Sequence, residues 1–153
     1  MALHNIQTTR DVKKLRAHLK LLCCDLRTGE QLLREGGDPQ CQLCPAPVET
    51  TEHLVSECRA LYPIRERLLP ELLNTVLEVD PFCGILADPQ SPHLTQFLLD
   101  CTSHNLPIGI RLSPENPNIT LVFKVTRDWC FALINERTKQ LNIRKNAQQP
   151  HRT

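Results

Sequence analysis

Residues 41–58 have the sequence CQLCPAPVETTEHLVSEC, in which Cys41, Cys44, His53 and Cys58 follow the spacing C-x2-C-x8-H-x4-C. Three thiolates and one imidazole form a complete tetrahedral ligand set for Zn²⁺. Because four protein ligands leave no position for water or a substrate, the pattern predicts one structural zinc ion and no catalysis. We therefore expect the fold to be organised around this segment.

Core packing is the alternative for any cysteine, because a free thiol packs as a small hydrophobic group. It suits the five cysteines on or near apolar stretches, which are Cys23, Cys24, Cys83, Cys101 and Cys130. It does not suit Cys41 and Cys44, which flank a proline-rich loop. Glu52 and Glu57 lie beside ligands in the sequence and could be proposed as a catalytic base, but solvated helix carboxylates are the simpler interpretation.

The rest of the chain predicts helices. Leucine is common and aromatic residues make up only 4% of the 153 residues, a composition that favours helices over a sheet. The first helix has one apolar stripe at helical spacing, made of Val12, Leu15, Leu19, Leu22, Cys23 and Leu26. Residues 119–125 alone have the composition of a strand, but their apolar positions continue a helical stripe that reaches Trp129. The expected fold is mostly α, a small helical domain organised around one structural zinc-binding loop.

Four segments follow from this interpretation. Residues 1–40 form basic N-terminal helices, residues 41–58 form the CCHC zinc-binding segment, and residues 59–141 form a C-terminal helical segment. A basic flexible tail is expected over residues 142–153. Pro70 lies inside an otherwise helical pattern, where it predicts a kink or a break.

Charge is distributed unevenly although the net charge is only +1. Residues 41–103 carry a net charge of −6, between a start of +2 and an end of +5. The basic ends predict weak, phosphate-mediated binding of RNA or DNA through Lys13, Lys14, Arg16, Lys20, Arg137, Lys139, Arg144 and Lys145. The acidic middle would suit a basic protein partner instead, and solvated helix faces are the simplest alternative for the cations.

The cellular setting is predicted from what the sequence lacks. The first 20 residues contain no apolar signal region, and no run approaches the roughly 18 apolar residues of a membrane helix. We therefore expect an intracellular protein, nuclear or cytoplasmic, in which thiols stay reduced. We expect neither a small-molecule substrate nor an enzymatic activity.

The sequence from Leu26 to Leu69 resembles the C-terminal region of non-LTR (LINE-type) retrotransposon reverse transcriptases. The matching features are a Leu-Arg-Thr-Gly turn (26–29), the C-x2-C pair, the phrase Glu-Thr-Thr-Glu-His-Leu (49–54) and Cys58 before a proline-containing helix. A looser resemblance extends over about residues 10–140. It implies an accessory module that helps to hold element RNA or target DNA.

The resemblance does not imply polymerase activity, because no Tyr/Phe-x-Asp-Asp motif occurs in the chain. The predicted function is therefore a zinc-stabilised accessory nucleic-acid-binding module that lacks a polymerase active site. The alternative is a zinc-stabilised structural or protein-interaction module that does not bind nucleic acid.

Overall fold

The longest helix, α6 (Ile119–Gln148), ends the part of the chain that the computed structural model describes, residues 8–148. It follows five helices: α1 (Thr9–Leu22), α2 (Gly29–Arg34), α3 (Tyr62–Val79), α4 (Gly84–Ala87) and α5 (Leu94–Leu99). Between α2 and α3 lie a π-helical turn (His53–Glu57) and a 3₁₀ turn (Arg59–Leu61). Residues 8–148 contain no β-strand, so the mostly α fold is confirmed. None of the helices in this range is long and apolar enough to cross a membrane.

Helix α6 forms one side of the apolar core, because it packs against α1, α3 and α5. Its buried face carries Val122, Val125, Trp129 and Leu133, and Trp129 is only 1% exposed. The helical interpretation of this segment is therefore confirmed. The β-branched residues at its start serve helix packing, although the same residues have strand propensity.

The end of α6 differs from the predicted tail. The helix continues to Gln148, so residues 142–148 are helical, while residues 149–153 lie outside the described part of the chain. The reason is tertiary contact, which sequence polarity does not reveal. Leu141 packs against the core, and Arg144 binds backbone carbonyl groups of the metal segment.

Helix α1 begins where its capping residues predict. The Thr8 side chain accepts a hydrogen bond from the Asp11 backbone at 3.2 Å, and the Asp11 carboxylate accepts one from the Thr8 backbone at 3.1 Å. This reciprocal pair is a capping box. The buried residues of the helix are Ala17, His18 and Leu21. The apolar stripe is therefore not the buried face of the helix, since Leu15, Leu19 and Leu26 are half-buried and Val12, Leu22 and Cys23 are exposed.

Polar contacts explain why α1 turns a different face inward. Lys14 forms an ion pair with Asp128 of α6. His18 Nε2 lies 2.7 Å from the carbonyl oxygen of Leu99, the last residue of α5. Buried polar groups need such partners, so the side of α1 that carries them faces the protein. The predicted stripe turns outward in consequence: Val12 is 47% exposed and Leu22 is 36% exposed.

Pro70 does not break α3, which is continuous from Tyr62 to Val79. Pro70 and Glu66, the residue four positions earlier, are both exposed. Water can therefore reach the turn in which the proline removes a backbone hydrogen bond.

Three of the five cysteines that we assigned to the core are buried there. They are Cys83, Cys101 and Cys130, and burial raises the pKa of the Cys101 and Cys130 thiols to about 12. Cys23 and Cys24 are exposed, so the core assignment is wrong for this pair. Both cysteines lie just past the end of α1 at Leu22, where Cys24 adopts a left-handed backbone with φ of 52°.

Trp129→Ala should lower the free energy of unfolding by roughly 3–5 kcal/mol, because it leaves a large cavity in the core next to α3. Leu121→Ala on the same helix is the control, because Leu121 is 44% exposed. Denaturant unfolding followed by circular dichroism measures both. Equal losses in the two variants would contradict the placement of Trp129 in the core.

Candidate metal centre

Cys41 and Cys44 lie on a tight turn that directs both sulfur atoms to one side. The Cys41 backbone N–H donates to the Ala46 carbonyl at 3.0 Å and closes the turn. The Leu43 backbone N–H points at Cys41 Sγ, at a distance of 3.4 Å. Such N–H contacts stabilise a thiolate, the form in which cysteine binds a metal.

His53 and Cys58 are brought together by the π-helical turn. The Cys58 backbone N–H donates to the His53 carbonyl at 2.6 Å, five residues earlier. In an α-helix, residues five apart point in directions about 140° apart, and the wider π turn reduces this divergence. The backbone leaves helical geometry at Cys58, with ψ of 116°. Cys58 therefore lies just past the end of the helical turn.

The four side chains converge although they come from two separate parts of the segment. Cys41 Sγ lies 3.9 Å from Cys58 Sγ, and Cys44 Sγ lies 3.3 Å from His53 Nε2. All four candidate ligand atoms lie within 4.8 Å of one another. Cys41, His53 and Cys58 are buried, and only Cys44 is partly open to solvent. This cluster could hold one metal ion through four protein atoms, which would leave no open coordination position.

The thiols respond differently to their surroundings. Burial raises the pKa of Cys41 to about 12, and it also raises the pKa of Cys58. Burial acts in the same direction on Cys44, but backbone N–H groups of Ala46 and Arg59 and the neighbouring thiols outweigh it, so the pKa of Cys44 is lowered. Metal binding to such a set releases protons, because cysteine binds as the thiolate.

A buried carboxylate, Glu49, links the metal segment to α6. Glu49 is 2% exposed, and its Oε2 accepts a hydrogen bond from Cys41 Sγ at 3.4 Å. Arg137 of α6 donates two hydrogen bonds to the same carboxylate, from Nε to Oε2 at 3.3 Å and from Nη2 to Oε1 at 2.5 Å. The Glu49 carboxylate would repel a metal-bound Cys41 thiolate. The positive charge of Arg137 offsets the negative charges of these two groups.

A second arginine of α6 contacts the turn between the first two cysteines. Arg144 donates to the carbonyl oxygen of Gln42, and its Nη2 donates to that of Leu43 at 2.8 Å. Together, Arg137 and Arg144 attach the C-terminal half of α6 to the metal segment. Sequence reasoning missed this role, because it assigned both arginines to phosphate contacts and gave Glu49 no part in supporting the site.

The start of α2 also touches the metal segment. The Glu30 backbone N–H donates to the Glu49 carbonyl at 3.0 Å, and the Glu49 N–H donates to Pro39 at 2.9 Å. A Cβ atom on Gly29 would lie 1.8 Å from the Pro39 carbonyl oxygen, so only glycine fits. The Leu-Arg-Thr-Gly turn is therefore part of the support of the site.

Arg65 and Glu57 contact the second ligand pair. Arg65 is buried, and its Nη2 donates to the Cys58 carbonyl at 2.6 Å. Three thiolates and a divalent ion would carry a net charge of −1, which the guanidinium balances in part. Glu57 Oε2 lies 3.7 Å from His53 Nδ1, the ring nitrogen that faces away from Cys44. A carboxylate at that nitrogen favours the tautomer that binds a metal through Nε2.

The predicted nucleic-acid contacts separate into two groups. Lys14, Arg137, Lys139 and Arg144 have partners within residues 8–148, which are Asp128, Glu49, Glu136 and the backbone of the metal segment, respectively. Lys13, Arg16, Lys20 and Lys145 are exposed and have no ion pair within residues 8–148. Helix α1 therefore presents three of the four cations without such a partner.

Comparisons with models of protein families, with curated proteins and with solved structures found no match.

The purified chain should contain one tightly bound metal ion, and Cys44→Ser should remove most of it, because a closed site needs all four ligands. Cys23→Ser changes an exposed cysteine outside the site and is the matched control. Elemental analysis after dialysis gives the metal content per chain. Equal metal in the wild type and in Cys44→Ser would rule out the assignment.

Arg137→Gln should weaken metal binding by about 10- to 100-fold, the usual effect of removing a group that supports a ligand. It leaves the Glu49 carboxylate buried beside Cys41 without its countercharge. Adding Glu49→Gln should restore part of the affinity. Competition with a chromogenic chelator measures each variant against Lys139→Gln, whose side chain is 70% exposed. A loss no larger than that of Lys139→Gln would contradict the support role.

Proposed function

We propose that the metal is a structural Zn²⁺ and that the protein is an accessory module that binds nucleic acid. The donor set supports zinc, because three thiolates and one imidazole form a common structural zinc site. With Zn–S near 2.3 Å and Zn–N near 2.0–2.1 Å, a tetrahedron has edges of roughly 3.8 Å between sulfurs and roughly 3.6 Å between sulfur and nitrogen. The separations of 3.9 Å and 3.3 Å lie close to these values.

In this proposal the metal stabilises the folded structure. All four ligands come from the protein, and three of them are buried. Arg137 and Arg144 of α6 and the start of α2 form hydrogen bonds with the segment that these ligands hold. Zinc would therefore fix a loop that has little regular structure of its own and on which two other parts of the chain rest.

Nucleic-acid binding rests on one observation, the exposed cations of α1. Lys13, Arg16 and Lys20 lie within about 60° of one another around the helix. They have no ion-pair partner within residues 8–148, whereas Lys14 is held by Asp128. Such a cluster can contact successive phosphates of one strand without reading bases. Trp129 is buried, so it is not available to stack on a base.

The resemblance to non-LTR retrotransposon reverse transcriptases supports the same function. The residues that carry it, from Leu26 to Leu69, contain the metal segment and the turn that supports it. In this proposal the zinc centre holds the module together, and α1 makes weak contacts with element RNA or target DNA. The predicted contacts of Arg137 and Arg144 with phosphate are withdrawn from it, because both side chains serve the metal segment.

Changing Lys13, Arg16 and Lys20 to Gln should weaken RNA and DNA binding for all sequences alike. Three phosphate contacts give a slope of log affinity against log salt of about −2.7 on duplex DNA and about −2 on single strands, and the variant should lose most of it. Fluorescence anisotropy at several salt concentrations measures the slope. Arg67→Gln, an exposed cation on α3, is the control and should leave the slope unchanged.

If the wild-type chain, with its metal bound, has no affinity for RNA or DNA at low salt, nucleic-acid binding is wrong for this chain. The zinc-stabilised structural or protein-interaction module is then preferred.

A further inference from the structure

The outward face of α1 is apolar along three turns. It carries Val12, Leu15, Leu19 and Leu22, which follow the helical spacing i, i+3, i+7 and i+10. We call these four residues the α1 stripe. Val12 and Leu22 are exposed, and Leu15 and Leu19 are half-buried. The α1 stripe spans about 15 Å along the helix axis, enough for a facing helix of three turns.

Two hollows flank the α1 stripe, and Leu15 borders both. One is a shallow groove of about 490 Å³, which Val12, Leu15, Leu19 and Cys23 line together with Arg16 and Lys20. The other has a volume of about 150 Å³ and lies where Leu15 and Leu22 meet Leu99 and Phe123. In helix packing, the ridge of one helix fits a groove of the second helix, and side chains of the second helix enter the hollows on either side of the ridge.

The charges around the larger hollow have one predominant sign. Arg16 and Lys20 line it, Lys13 is adjacent, and Asp25 is the one acidic residue among its lining. None of the three cations has an ion pair within residues 8–148. A ligand that covers the apolar residues would therefore place one of its flanks against uncompensated positive charge.

We propose that the α1 stripe is a docking surface for an amphipathic helix of a partner protein, one with leucine-like residues at helical spacing and a flank of Asp and Glu. Leucine-like side chains fill the two hollows, and the acidic flank pairs with Arg16 and Lys20. Nucleic acid does not account for this surface, because phosphates would leave Val12 and Leu19 in water. A second copy that pairs through α1 would bring the basic side chains of both copies close together, which opposes association.

This docking surface does not depend on the identity of the metal or on nucleic-acid binding. It does share Arg16 and Lys20 with the proposed phosphate contacts. The partner helix and nucleic acid should therefore compete for α1.

The test uses the full chain with its metal bound and a labelled synthetic helix of about 14 residues, with leucines on one face and glutamates on one flank. One control peptide replaces the glutamates with lysines, and another replaces the leucines with serines. Fluorescence anisotropy should show that the acidic peptide binds at least about tenfold more tightly than either control, which corresponds to about 1.4 kcal/mol.

Variants of the protein locate the binding surface. Val12→Ser with Leu19→Ser should weaken binding of the acidic peptide about tenfold and leave the melting temperature nearly unchanged, because the α1 stripe is not part of the core. Leu77→Ser on α3 is the matched control, since Leu77 is 51% exposed, and it should not affect peptide binding. The double-serine variant should keep salt-sensitive RNA binding, because Lys13, Arg16 and Lys20 remain.

Several results would overturn the docking surface. These are no binding of the acidic peptide, equal binding of the acidic and basic peptides, or unchanged binding by the double-serine variant. A concentration-dependent dimer that the double-serine variant abolishes would assign the face to a second copy instead. A chain that binds the acidic peptide but no RNA or DNA would keep the docking surface and contradict only the proposed nucleic-acid function.

Discussion

The contact between Glu49 and Arg137 joins the metal segment to α6, the longest helix, and the other contacts of the site are arranged around it. The Glu49 carboxylate lies between Cys41 and the Arg137 guanidinium, and the backbone of Glu49 bonds to both Glu30 and Pro39. A charged carboxylate can be buried this deeply only if it is paired. The position of the four candidate ligands, the start of α2 and the docking of α6 therefore constrain one another.

This arrangement also changes the meaning of the charge distribution. The sequence alone suggests that the acidic middle and the basic C-terminal end form two separate charged surfaces. In the structure, Glu49 of the middle and Arg137 of the C-terminal end form an ion pair with each other. Lys14 and Asp128 do the same between α1 and α6. The exposed cations that remain on α1 stand beside an apolar stripe. One helix therefore carries both surfaces that we propose for binding.

The sequence was sufficient to predict the cluster of candidate metal ligands and the helices, because both depend on local patterns. The ligand spacing identifies Cys41, Cys44, His53 and Cys58, and the helical period that includes Trp129 identifies α6. The buried face of α1 could not be predicted, because Lys14 and His18 face inward only when Asp128 and the Leu99 carbonyl are in place. The roles of Arg137 and Arg144 were hidden for the same reason, since their partners lie about 90 to 100 residues away in the sequence.

We infer that the metal holds the loop and the C-terminal half of α6 together. Hydrogen exchange of the metal-bound chain and of the chain treated with a strong chelator tests it most directly. Metal removal should raise exchange over residues 36–62 and around Arg137 and Arg144 of α6. Amides around Trp129, which lies in the helical core, should stay protected. Unchanged exchange in both regions, or loss of protection in all helices together, would contradict the account.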